Sequence, residues 1–193
     1  RGTDERARGF LVGATAGRTT LSGEGLQHQD GSSHLIASTV PNCIAYDPCF
    51  GYELTVIVQD GMRRMLAEQE DVFYYLTVMN ENYVQPAMPA GAEEGILKGM
   101  YRLRAPAITK AKAKGETVTL LGSGTILREC LAAADALEAE GIPVEVFSVT
   151  SWSELRRDGQ ACDRFNLDHP DEKRRVSWIE QCLGKRKGPV IAA

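Results

Sequence analysis

The chain has 193 residues, 43% of them hydrophobic and 25% charged, enough for one core of ordinary size or two small ones. With 22 basic against 26 acidic side chains the net charge is -4, too mild to point to nucleic acid or an anionic membrane surface as a partner. No apolar run approaches the roughly 18 residues that a membrane-spanning helix requires, and RGTDERARGF at the start has neither the apolar stretch nor the cleavage signal of a secretory leader; the cysteine usage described below leads to the expectation of a cytoplasmic setting.

In chain order, the first clear element is NCIAY (42–46), a short strand. Asp47 and Pro48 then offer an N-cap and a first-turn proline, and Phe50, Leu54, Ile57, Val58 and Met65 recur on one helical face. VFYYLTVM (72–79) is the next strand. Around Asn80 to Gly95, Pro86, Pro89 and Gly91 argue for a semi-extended connector. The charge pattern changes at the same place, since residues 1–90 contain no lysine. The expected division is therefore 1–85, a linker at 86–96, and 97–193.

The second segment is clearer. TVTLLGSG (117–124) is a nearly continuous apolar run ending in glycines, as expected of a strand buried on both faces. Leu127, Cys130, Leu131, Ala134 and Leu137 follow at helical spacing until Gly141 and Pro143. PVEVFSVTS (143–151) is another strand, and Ser151 with Glu154 has the form of a capping box opening a further helix. An amphipathic stretch through Val176, Ile179 and Cys182 leads to PVIAA (189–193), a third strand with which the chain stops. Alternating strands and helices predict an α/β class with mainly parallel sheets in both segments. A sheet that stops at a strand leads to the expectation that the chain is an internal piece of a longer protein.

Several motifs carry little. The GSG at 122–124 lacks the third glycine of a dinucleotide fingerprint, which Leu127 replaces. The basic clusters at 173–175 and 185–187 read as solvated helix faces. His169 reads as part of a surface turn, and the five cysteines, odd in number and without a C-x-x-C, read as structural thiols in a reducing cytosol, with Cys130 and Cys182 as small hydrophobes within helix-like patterns. No metal site is legible.

The stretch LSGEGLQHQDGSSHL (21–35) is different, with Glu24, His28 and His34 among glycines at 23, 25 and 31. Glycines let a backbone approach a ligand closely, and an imidazole exchanges protons near neutral pH. By spacing alone a polar surface loop remains the simpler explanation.

The residues themselves go further. GRTTLSGEGLQHQDGSSH, PNCIAYDP, NENYVQPAMPAGAEEGI, LLGSGTILRE and SVTSWSELRRDGQACDRFN closely resemble the homodimeric bacterial pyruvate dehydrogenases, the thiamine-diphosphate-dependent first components of their complex, over essentially the whole chain. The resemblance implies that 1–85 is the later part of a pyrimidine-binding domain and 97–193 the first part of a transketolase-like carboxy-terminal domain. It implies decarboxylation of pyruvate with thiamine diphosphate and Mg2+, reductive acetylation of a lipoyl domain of the dihydrolipoyl acetyltransferase component, and a homodimer partner. Within GEGLQH it gives Glu24 and His28 as active-site residues, His28 binding substrate and exchanging protons, Glu24 ordering the network around it. His34 receives no role from it. The cofactor-activating glutamate and the diphosphate-magnesium motif of the family have no match within the chain, which alone is expected to be inactive. A non-catalytic module derived from such an enzyme, or a related 2-oxo acid dehydrogenase or transketolase, are the alternatives.

Overall fold

The β-branched and aromatic runs become strands of two sheets in the computed structural model, which describes residues 6–14, 31–79, 81–108 and 113–193. The first sheet has the order β1-β3-β2, all parallel, from β1 (Phe10–Ala14), β2 (Cys43–Tyr46) and β3 (Phe73–Val78). Between them lie α1 (Ser33–Ser38) and α2 (Gly51–Met62), the latter running on into a wider π turn at Arg63–Ala67. The second sheet has the order β4-β6-β5-β7, built from β4 (Met100–Arg104), β5 (Val118–Gly122), β6 (Val144–Val149) and β7 (Val190–Ala192). Short α3 (Glu93–Leu97) precedes β4, α4 (Ile126–Ala139) links β5 to β6, and α5 (Trp152–Asp168) with α6 (Trp178–Leu183) leads to β7. Among the described residues no helix is long and apolar enough to cross a membrane.

Five local expectations change. Strand β1 begins directly after the charged start, ahead of the first element expected from the sequence, and takes its register from β3. Strand β4 lies antiparallel on β6, so the second sheet is mixed. Helix α3 forms inside the stretch expected to be a connector, stabilised by a cluster that buries Ile96. Asp47 and Pro48 do not open α2. That helix starts at Gly51, and Glu53 caps it from inside by accepting from the amides of Cys49 (2.6 Å) and Phe50 (2.9 Å). The Ser151 box is half present: Ser151 Oγ accepts from the Glu154 amide (3.1 Å), whereas the Ser151 amide donates to Gly99 O and the Glu154 carboxylate pairs with Arg157.

The two sheets share their cores. One cluster joins Ile44, Ile57, Tyr74 and Leu76 of the first half to Ile96 and Tyr101, and another joins Cys49 and Phe50 to Leu120, Leu127, Val144 and Val146. At the centre, Glu53 has no exposure. Besides the two amides it accepts from Tyr101 Oη (2.7 Å) and Ser148 Oγ (2.5 Å), and Tyr101 Oη also meets Tyr52 Oη at 2.6 Å. Burial first, and the Glu53 charge second, push the Tyr101 phenol far above its ordinary pKa, so its proton stays on the hydrogen bond. The arrangement satisfies a carboxylate that would otherwise be costly inside a core.

The cluster at 185–187 also departs from a solvated face. Arg186 forms a pair with the buried Glu145 on β6 through Nε (2.6 Å) and Nη2 (3.0 Å), and Thr119 Oγ1 donates to the same carboxylate at 2.8 Å. Burial alone would raise the Glu145 pKa, but hydrogen bonds from Arg186 and Thr119 outweigh it and hold the group below the ordinary carboxylate range.

Two predictions follow from these buried acids, both measured on the full-length protein. Glu53→Ala strands four donors and should cost about 3 kcal/mol or more, against about 1–2 kcal/mol for Tyr101→Phe, seen as ordered losses in denaturation midpoint. A depressed folded pKa means that Glu145 contributes stability above its unfolded value of about 4.3 and loses it as pH falls through the folded value. Acid titration of the melting temperature should therefore show a drop below about pH 4.3 that is shallower in Glu145→Gln.

Candidate functional site at the carboxyl ends of the strands

In parallel sheets, ligand sites lie beyond the carboxyl ends of the strands, where the loops diverge. Here those ends bring together Asp47 after β2, Ser123 after β5 and Ser151 after β6, with the last strand β7 ending beside them. They line a cleft of about 460 Å³ with His34, Leu35, Ser38, Ile126, Trp152 and Arg156. That volume lies within the range of small-molecule sites, about 300–1,000 Å³.

Its polar wall is built across elements. His34, the second residue of α1, places Nε2 2.9 Å from Thr77 Oγ1 on β3, and its ring meets Tyr75 edge-on at 5.1 Å between centroids. Thr77 Oγ1 donates to Asp47 Oδ1, and Ser123 Oγ donates to Asp47 Oδ2 at 3.1 Å. The Asp47 backbone is held as firmly: its amide donates to Thr150 O (2.7 Å) and its carbonyl accepts from the Gly124 amide (3.1 Å). Beside it Ser151 Oγ donates to Ala45 O at 2.6 Å, so the start of α5 is tied to β2. Arg157 reinforces this by donating to Cys43 O (2.9 Å) and Val40 O (3.0 Å).

Glycine is required at 124. Its φ is +50°, and a Cβ there would stand 2.6 Å from both Asp47 carboxylate oxygens. The tight GSG turn thus exists to admit a side chain from the other sheet.

The two residues expected to carry chemistry, Glu24 and His28, lie outside the described residues, while His34, to which no role was assigned, is in the cleft wall. Asp47, Thr77 and Ser123 escaped the sequence reading. Nothing in local spacing could have paired them, since 30 residues separate Asp47 from Thr77 and 76 separate it from Ser123.

The fold defines a class. The chain superposes on a transketolase variant from Pichia stipitis with a TM-score of 0.59 at 16% identity, covering 95% of this chain and 22% of that one. For the transketolase of Campylobacter jejuni the values are 0.56 and 22%, covering 79% and 22%. The chain therefore has a transketolase-like fold. Residues 1–86 match the pyruvate dehydrogenase E1 component middle domain, and residues 99–193 match the transketolase-like TK C-terminal domain. It is 61% identical over 191 residues to the pyruvate dehydrogenase E1 component of Pseudomonas aeruginosa and 54% identical over 192 residues to that of Escherichia coli, in each case over 98% of this chain. The chain belongs to the pyruvate dehydrogenase E1 component family, and it spans 21% of the length of those relatives.

Two glycines separate the junction from ordinary helix propensity. Gly124→Ala should destabilise the full-length protein by roughly 1–3 kcal/mol, because it forces a left-handed backbone and crowds Asp47. Gly159→Ala, in α5 with nothing within 4 Å of the added Cβ, should stabilise it by roughly 0.5–1 kcal/mol. Denaturant midpoints of the two variants check both signs.

Proposed function

We propose that the chain is one flank of the active site of a pyruvate dehydrogenase E1 component, which decarboxylates pyruvate and passes the acetyl unit to a lipoyl group. The single observation that carries this reading is the 61% identity to a protein of that name along nearly the whole chain. In the full-length enzyme thiamine diphosphate supplies the electron sink for decarboxylation.

The described residues do not fit as holders of that cofactor. Both oxygens of the Asp47 carboxylate are engaged by Thr77 and Ser123, and among the described residues no group of three or more His, Cys, Asp or Glu side chains is placed to hold a metal ion. The diphosphate and Mg2+ would be held by other parts of the full-length enzyme. What this chain supplies is Glu24 and His28, in the sequence that precedes α1. His28 binds substrate and moves a proton, and Glu24 orders its surroundings.

The division into a middle-domain piece at 1–85, a linker at 86–96 and a carboxy-terminal piece at 97–193 belongs to the same reading. So do a homodimeric assembly, a lipoyl domain of the dihydrolipoyl acetyltransferase as partner, and a cytoplasmic setting.

The test uses the full-length enzyme with thiamine diphosphate, Mg2+ and pyruvate. His28→Ala should lower turnover by roughly 10²-fold or more, the scale expected for a positioned acid-base group. A loss below about threefold, or a full-length protein that prefers another 2-oxo acid or a ketose, would contradict the proposal.

A further inference from the structure

We infer that Asp47 and Thr77 form a positioning relay for His34, and that His34 is a further functional residue of the site proposed above, on which this inference rests. The direction of the relay follows from counting protons. Thr77 has one hydroxyl proton, and the Asp47 carboxylate can only accept it. The Thr77 oxygen is then the acceptor toward His34, so Nε2 carries the hydrogen in the 2.9 Å contact. Nε2 is thus protonated in the neutral ring as well as in the cation. Any proton that the imidazole gains or releases must move at Nδ1.

The rest of the junction fixes the geometry. Ser123 on Oδ2 keeps the Asp47 carboxylate from turning, and Gly124 gives it room. Tyr75 sets the plane of the ring from the side. Two backbone hydrogen bonds tie Asp47 to Thr150 and Gly124 of the second sheet. The relay therefore runs from the β5 turn through Asp47 and Thr77 to an imidazole in the cleft wall, six residues along the chain from His28. Through it, the carboxy-terminal sheet sets the orientation of a titratable group carried by the other half, in a cleft that both sheets line. A threonine buried in β3 for its shape alone would need no such chain of partners.

The two obvious substitutions at Thr77 separate a relay from packing. Thr77→Val keeps the shape and favours the strand but removes the hydroxyl, whereas Thr77→Ser removes the γ-methyl and keeps the hydroxyl. In the full-length enzyme with thiamine diphosphate and saturating pyruvate, the relay predicts kcat about tenfold lower for Thr77→Val, the scale of a misoriented group, and restored to within about threefold of the parent by Thr77→Ser. Packing alone predicts the reverse order. Thr77→Val as active as Thr77→Ser, or more so, would overturn the relay. His28→Ala run in parallel tells the two failures apart. If it collapses turnover while the Thr77 order is reversed, only the relay is wrong, and if it is also active, the functional reading fails with it. Should Thr77→Val not fold, His34→Gln decides: its amide can still donate to Thr77 but has no proton to exchange. A kcat lowered about tenfold supports the relay, and an unchanged kcat overturns it.

Discussion

The fold depends on one buried carboxylate. Glu53 sits at zero exposure where the two sheets meet and accepts from two amides of its own turn and two hydroxyls of the other sheet. An unpaired charge there would be strongly destabilising, so α2, β4 and β6 can pack only in the arrangement that supplies all four donors. Apolar burial provides the bulk of the stabilisation but is non-directional. The hydrogen bonds to Glu53 set the register in which Phe50, Tyr101 and Ser148 come together. Specificity of sheet-to-sheet placement is thus located in a few polar atoms inside clusters that are otherwise hydrophobic.

Six residues earlier, Asp47 repeats the device at the edge of the same junction, now with a cleft beside it. The same short stretch after β2 therefore serves two purposes. Its inner end fixes how the sheets meet, and its outer end connects that placement to a histidine in the cleft wall. In the functional reading proposed above, this is how the second sheet shapes the site: it holds Asp47, and Asp47 holds Thr77 and His34. Gly124 and Ser151 belong to the same account, since each exists at its position to let one sheet's backbone or side chain reach the other's.

Much of the fold is legible in the sequence, and the illegible parts share a cause. Strands β5 and β6 and helix α4 announce themselves because burial on both faces or one face imposes a local period. The antiparallel β4 does not, since MYRLR alternates weakly and its partner β6 lies more than forty residues on. Asp47 next to Pro48 has the form of a helix start, yet tertiary donors on β3 and after β5 compete better for its carboxylate than the local amides do. Glu53 then takes over the capping, a role that nothing in the sequence marks. GEGLQH is distinguished only by its resemblance, while the partners of His34 come from distant strands and leave no pattern. Local rules fail here where long-range polar contacts decide.

The most direct measurement is a crystal structure of the full-length enzyme with thiamine diphosphate and a non-decarboxylatable pyruvate analogue. The account predicts the analogue within hydrogen-bond distance of His28, with the cleft of His34 and Asp47 adjoining it and the His34–Thr77–Asp47 contacts intact. An analogue bound far from His28, or a His34 ring turned away from Thr77, would contradict it.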